Sequence, residues 1–207
     1  MSKEIEKRFF NFDRLEIERI LKNLGAVKKG IFLFKIIQYK SNPPIKTLRL
    51  RDEGHRITFT IKEKTNDFDL ENEVIVNNFK EMRTMLNKLG HKEKYYMEKI
   101  REIYDIGDAE LIFDHYPGLP GYIEIEAPTE KKLNELIEKF GLNQNEKYGN
   151  FSIMYKELYQ TGIDDLGYLN ITFENINETV KPLVSKNADI FEKIVEGQKK
   201  LMEKVNK

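Results

Sequence analysis

Glu4-Ile5-Glu6-Lys7-Arg8 places two carboxylates and a guanidinium at alternating positions near the start of a 207-residue chain. On a strand, successive side chains point to opposite faces. Glu4, Glu6 and Arg8 therefore share one face, and Ile5, Lys7 and Phe9 share the other. The spacing recurs along the chain. Arg49 and Arg51 alternate with Leu48 and Leu50, and Thr58, Thr60 and Lys62 alternate with Ile57, Phe59 and Ile61. Glu71 and Glu73 flank Asn72, Lys99 and Arg101 flank Ile100, Asp114 ends ELIFD, and Glu124 and Glu126 alternate with Ile123 and Ile125. A single strand of this kind is explained by a solvated face over an apolar underside. A series is not, because like charges keep together within a strand: Glu with Glu at 4/6, 71/73 and 124/126, Arg with Arg or Lys with Arg at 49/51 and 99/101. Like charges two apart on one face repel, so each cluster makes sense where something bound offsets it. Paired carboxylates suit hard divalent cations such as magnesium or manganese. Clustered Arg and Lys suit a phosphate-rich anion, Arg by bidentate contact and Lys as a point charge. A polyphosphate with its metal satisfies both sets, provided the sheet curls into a barrel or tunnel on which the side chains converge.

Composition narrows the alternatives. Acidic and basic residues balance at 35 each, which argues against a nonspecific nucleic-acid binder or a polybasic membrane patch. With no cysteine, there is no disulfide framework, thiolate metal site or thiol nucleophile. No secretory signal is visible, and the run IFLFKII is too short and broken to span a bilayer, so a soluble, cytoplasmic protein is expected. His55, His91 and His115 show no ligand spacing and read as surface or turn residues.

The elements that must position the charged strands are legible from periodicity. Asp13 caps a helix with Glu16 three residues on, an apolar stripe of Leu15, Ile17, Ile20, Leu21 and Leu24, and Gly25 at its end. Asn78 and Glu81 open a second helix, with Phe79, Met82, Met85, Leu86 and Leu89 as its buried set. A third follows Thr129 through Leu133, Leu136, Ile137 and Phe140. Between them GIFLFKIIQY, KTLRLRD, HRITFTIKEK, FDLENEVIV, YYMEKIREIYDI, AELIFDHY and GYIEIEA read as strands in antiparallel-compatible succession. Glu53-Gly54 is a hairpin turn. ERILKNLGAVKKG and RTMLNKLGHKEKY are loosely alike, a faint sign of two similar halves. Past about residue 148 the pattern changes. FSIMYKELYQ reads as a short helix, LGYLNITF is ambiguous between strand and loop, and 184–207 reads as an amphipathic helix with Ile190, Phe191, Ile194, Leu201, Met202 and Val205 near one side. The expected organisation is a charged-strand domain over 1–160 and a largely helical extension over 161–207.

The ordered charge pattern resembles the CYTH family, the triphosphate tunnel metalloenzymes, which includes class IV adenylate cyclases, thiamine triphosphatases and inorganic triphosphatases. The family's Glu-x-Glu-x-Lys strand stands here as Glu4-Ile5-Glu6-Lys7-Arg8, with arginine in place of the final lysine. Arg49-Leu50-Arg51, Lys62 at the end of ITFTIK, Glu71-Asn72-Glu73, Lys99-Ile100-Arg101 and FDHYPGLPGYIEIE, with Asp114, Glu124 and Glu126, follow in the family's order. A late basic residue of the family has one candidate here, Lys147.

The resemblance implies an α+β fold, an antiparallel eight-stranded tunnel closed as a barrel with packing helices and a C-terminal helical extension on or beside it. It implies that Arg8, Arg49, Arg51, Lys62, Lys99 and Arg101 bind a triphosphate, and that Glu4, Glu6, Glu71, Glu73, Asp114, Glu124 and Glu126 hold Mg2+ or Mn2+. Glu4, Glu6 and Arg8 are the candidate catalytic group. Three activities fit: metal-dependent hydrolysis of an inorganic or organic triphosphate, which is favoured; cyclisation of ATP to cyclic AMP and pyrophosphate; and binding of polyphosphate or nucleotide without turnover. The expected partner is a triphosphate-containing small molecule, with neither nucleic acid nor membrane, in a monomer or homodimer. Tyr39, Phe34, Tyr95 and Tyr96 are candidates to stack on a base, with the core as their alternative place.

Overall fold

The computed structural model describes residues 5–65, 69–142, 151–161 and 170–205. Its centre is an eight-stranded antiparallel sheet. In chain order the strands are β1 (Ile5–Phe9), β2 (Val27–Tyr39), β3 (Ile45–Asp52), β4 (Ile57–Lys64), β5 (Asp69–Val76), β6 (Glu93–Asp105), β7 (Glu110–His115) and β8 (Tyr122–Ala127). Their order across the sheet is β1-β8-β7-β6-β2-β3-β4-β5. The helices are α1 (Arg14–Asn23), α2 (Phe79–Lys88), α3 (Glu130–Lys139), α4 (Phe151–Tyr159), α5 (Ile176–Thr179) and α6 (Ala188–Met202). The alternating strands thus form as the sequence predicts, and all but the edge strand β5 supply an apolar face that is buried. Closure does not follow. Among the described residues β1 and β5 share no hydrogen bonds, so the sheet has two edges instead of the expected closed barrel. Both edge strands carry acidic residues, Glu6 on one beside Arg8 and Glu71 and Glu73 on the other beside Lys62 and Arg51.

The apolar underside is covered in two patches. Phe9, Leu111, Phe113, Ile123 and Ile125 pack against Ile17 and Leu21 of α1 and Leu133 and Leu136 of α3. Ile37, Tyr39, Leu48 and Leu50 pack against Leu86 of α2, with Phe79 and Met82 at the border. Three apolar stripes are narrower than predicted. Leu15 and Leu24 of the first helix, and Met85 and Leu89 of the second, are exposed. On α6 the buried set is Phe191, Val195 and Gln198, while Ile190 is exposed. Periodicity locates a helix face only to within one residue of its centre, and the sheet it meets selects the rest.

Asp13 caps α1 as expected, its carboxylate accepting from the Leu15 and Glu16 amides, and Asn78 caps α2 through the Glu81 amide. Gly30 lies at the bulge where the β2–β6 register shifts. A Cβ there would lie 2.7 Å from the Phe32 ring, so only glycine lets that ring fold back over the strand. Of the ambiguous LGYLNITF, only 170–173 are described, and there Ile171 makes a single parallel bridge to Met97. A third core joins Phe10, Leu119 and Tyr122 to Tyr155, Tyr159, Phe191 and Val195, so α4 and α6 seat on the β7–β8 end of the sheet. Among the described residues no helix is long and apolar enough to cross a membrane.

Candidate functional site

The strand register brings the predicted charged residues onto one face. Arg8 lies opposite Glu124 and Glu6 opposite Glu126. Asp114 lies opposite Arg101, Arg51 opposite Thr58, Arg49 opposite Thr60, Thr60 opposite Glu73 and Lys62 opposite Glu71. Glu4 and Lys147 lie outside the described residues.

Two half-sites result. On β1, β8, β7 and β6, Asp114 is fully buried and held by Lys99 at 2.9 Å, by Arg101 at 2.9 and 2.7 Å, and by the Tyr122 hydroxyl at 3.1 Å. Burial alone would raise this carboxyl; the Lys99 and Arg101 charges outweigh it and keep it well below the usual carboxylate range. Glu124, also buried, accepts from Arg8 at 2.8 Å through one oxygen and from Arg101 through the other. Arg8 reaches on to Glu6 at 3.0 Å.

Glu6, Glu124 and Glu126 each offer a carboxylate oxygen, and these oxygens lie within 4.8 Å of one another. The two arginines do not fully offset this trio. Partial burial and the Glu124 charge raise the Glu6 carboxyl, and burial outweighing Arg101 pushes Glu126 up to about 7. Oxygen-only donors with surplus negative charge are the chemistry of a hard divalent cation. The other predicted metal ligands stand elsewhere. Asp114 is committed to Lys99 and Arg101. Glu71 pairs with Lys62 at 2.7 Å, and Glu73 accepts from Thr60 at 2.7 Å with Arg51 at 3.5 Å, all towards the opposite edge.

The second half-site, on β3, β4 and β5, sets Arg49, Arg51 and Lys62 beside Glu53, Glu71 and Glu73, and its arginines are underpaired. Arg49 Nε, Arg51 Nε and the Thr58 hydroxyl are buried without a hydrogen-bond partner among the described residues. Burial, reinforced by the neighbouring Arg51 charge, pushes the Arg49 guanidinium down to about 10. Native proteins rarely leave several such groups together unsatisfied, so unpaired donors converging on one face point to an absent acceptor. Lys99 is likewise lowered, by burial and then Arg101.

Phe34 joins the halves. Its buried ring carries Arg101, Lys99 and Arg51 at 5.4, 5.6 and 5.8 Å, an aromatic floor that offsets part of their mutual repulsion. Seated beneath three cations, it is not open to stack on a base, and Tyr39 is buried in the outer core. The sequence reading missed two further residues. Glu53, taken as a turn residue, is buried and pairs with Arg51 and with Arg56 at 2.6 Å. Tyr122 holds Asp114. Both continue an alternation already noted, 49-51-53 and 122-124-126, and extending that parity by one step finds them. His115 is a correction of another kind: it is tucked against Gly121 on the outer face, where burial pushes it down to about 4.

Comparison with known proteins adds the following. A model of the CYTH domain matches residues 2–154, so α5 and α6 lie beyond the match. A Methanocaldococcus jannaschii protein with the provisional name of adenylate cyclase is 31% identical over 145 residues, which is 66% of this chain and 81% of that one. Among solved structures, the PH1012 protein of Pyrococcus horikoshii superposes with a TM-score of 0.58 at 24% identity, covering 69% of this chain and 92% of its own. A Vibrio parahaemolyticus protein, also provisionally named an adenylate cyclase, reaches 0.61 at 15% identity, covering 74% and 97%. At these identities the structural likeness speaks for the fold.

Proposed function

The chain belongs to the CYTH domain family, and from that membership we propose that its charged face processes a triphosphate group with a divalent cation, by hydrolysis. The observation that carries the reading is the pairing of opposites on one face: a carboxylate trio with surplus negative charge, and beyond it the buried Nε donors of Arg49 and Arg51, which have no acceptor among the described residues. Binding an anion alone gains nothing from the trio, and binding a cation alone gains nothing from Arg49. The complex of a polyphosphate with its metal answers both.

Glu6, Glu124 and Glu126 would hold Mg2+ or Mn2+, which when bound draws charge off phosphoryl oxygens and lowers the pKa of a ligated water. Arg49, Arg51 and Lys62 hold one end of the phosphate chain, while Lys99 and Arg101, aimed by Asp114, hold the other. Hydrolysis forms a bond from water oxygen to phosphorus and breaks the bridging P–O bond. The electron pair leaves on the departing phosphate, where the cations stabilise it, and the water's proton passes to a carboxylate or to solvent. Closure of the sheet into a tunnel is part of this proposal. A metal-bound triphosphate held by carboxylates of β1 and β8 and by cations of β3 and β4 draws the two edges towards each other.

Cyclisation of ATP is the second reading, favoured by the provisional name of the M. jannaschii relative. It needs a 3′-hydroxyl placed to attack the α-phosphate, with pyrophosphate leaving. Incubation with inorganic triphosphate, ATP and thiamine triphosphate, with Mg2+, Mn2+ or chelator, separates the two. Cation-dependent orthophosphate is the expected product. Cyclic AMP with pyrophosphate from ATP would replace hydrolysis by cyclisation. Tight binding without release of either would leave a binding protein.

A further inference from the structure

Gln198 is a polar residue in the buried stripe of α6, only 6% exposed. Its amide is fully used. The oxygen accepts from the Gly118 N–H at 2.8 Å, and the nitrogen donates to the Tyr116 carbonyl at 2.8 Å and the Leu119 carbonyl at 3.0 Å. Tyr159 adds a hydroxyl bond to the Gly118 carbonyl at 2.5 Å, and Tyr155 one to the Pro117 carbonyl. Gly118 has φ +68°, and a Cβ there would lie 2.7 Å from the Phe191 ring, so the loop and α6 are in direct contact. Packing a helix needs only an apolar stripe. A buried amide making three bonds is needed where an irregular backbone must be satisfied away from water.

The loop so held, 116–121, joins β7 to β8 beside the site. Tyr116 and Tyr122 stack across its ends with ring centroids 6.1 Å apart, and the Tyr122 hydroxyl donates to Asp114. Asp114 in turn orients Lys99 and Arg101. We infer that Gln198 is a positioning residue for the cationic centre: by fixing the 116–119 backbone it sets Tyr122 against Asp114, and through Asp114 aims Lys99 and Arg101 along the charged face. The helix beyond the family match is therefore a working part of the site. This rests on the triphosphate reading above.

The test is a double-mutant cycle on tripolyphosphate affinity, measured calorimetrically with Mg2+ at a temperature where every variant is folded. Gln198→Leu and Tyr122→Phe are each expected to weaken binding about tenfold, the scale of one hydrogen bond to a charged group. The double variant is expected to lose little more, because both act through Asp114. Leu136→Ala, which loosens the distant α3 core, is expected to lower stability and leave affinity unchanged. If Gln198→Leu does not fold, Tyr159→Phe replaces it, with a smaller loss in the same direction. Losses that add, or an affinity untouched by Gln198→Leu while wild type binds, would overturn the positioning role alone. Wild type that binds no tripolyphosphate would overturn the triphosphate reading and this inference with it.

Discussion

A guanidinium whose Nε has no hydrogen-bond partner among the described residues, as at Arg49, lowers the stability of a folded chain, because burial and the Arg51 charge cost its cation more than the nearby Glu71, Glu73 and Glu53 carboxylates restore. Replacing it with an apolar side chain of similar length should therefore stabilise the free protein. Arg49→Met is expected to raise the urea-unfolding free energy by about 1 kcal/mol, the usual gain at such sites. It should also abolish the stabilisation that tripolyphosphate confers on wild type. A loss of stability would show that Arg49 has a partner in solution. Glu126 makes a prediction with a definite sign. Its carboxyl is raised from 4.5 to about 7 in the folded state, so between these values the folded chain binds more protons than the unfolded one. Its contribution to stability is full below pH 4.5 and is lost as pH rises towards 7. Thermal melts without added cation should show a falling midpoint over that window, and Glu126→Gln should flatten it. Asp114 runs the other way. Its lowered carboxyl stabilises the fold above its unfolded pKa, and that contribution is lost only in strong acid. Asp114→Asn, which leaves two buried cations underpaired, should cost about 3–5 kcal/mol.

The strands that pack on a helix depend on it, and the depth of that support differs along the helix. On α2 the contact with β2 and β3 runs through Leu86, 3% exposed, whereas Met85 one residue earlier is 58% exposed. Leu86→Ala is expected to destabilise by about 2–4 kcal/mol, the transfer and cavity loss of a core leucine. Met85→Ala should stay within about 0.5 kcal/mol. Comparable losses at the two sites in denaturant titrations would mean that the helix is rotated relative to the sheet. The same logic applies to α1, where Ile17 and Leu21 are buried and Leu15 is not.

At the scale of the whole molecule, the sheet is an open array among the described residues, with β1 at one edge and β5 at the other. A ligand held by groups from both sides of the sheet should draw the edges together, and β5, largely exposed along its length, should register the change. Amide exchange in 70–76 and in β1 is expected to slow when tripolyphosphate and Mg2+ are added together, and less with either alone. Exchange that is unaltered in these strands while binding is saturated would rule out closure. Saturating ligand at about 100 times its dissociation constant should add about 2.7 kcal/mol to stability, a gain that chelator reverses.

Much of this was legible in the residues. Alternation determined the strands, the face on which each charge lies and the segregation of carboxylates from cations, because a strand's period of two leaves a side chain only two directions. The Asp13 and Asn78 caps and the three helices over the sheet followed from local rules of the same kind. Other features depended on residues far apart in the chain. That Glu6, Glu124 and Glu126 converge while Glu71 and Glu73 do not is a matter of strand order, which no local spacing encodes. That Phe34 lies beneath three cations, that Glu53 faces the site from a turn, and that Gln198 reaches the 116–119 backbone from 80 residues away depends on packing between elements. Periodicity states which way a side chain points; the tertiary structure decides what it meets there.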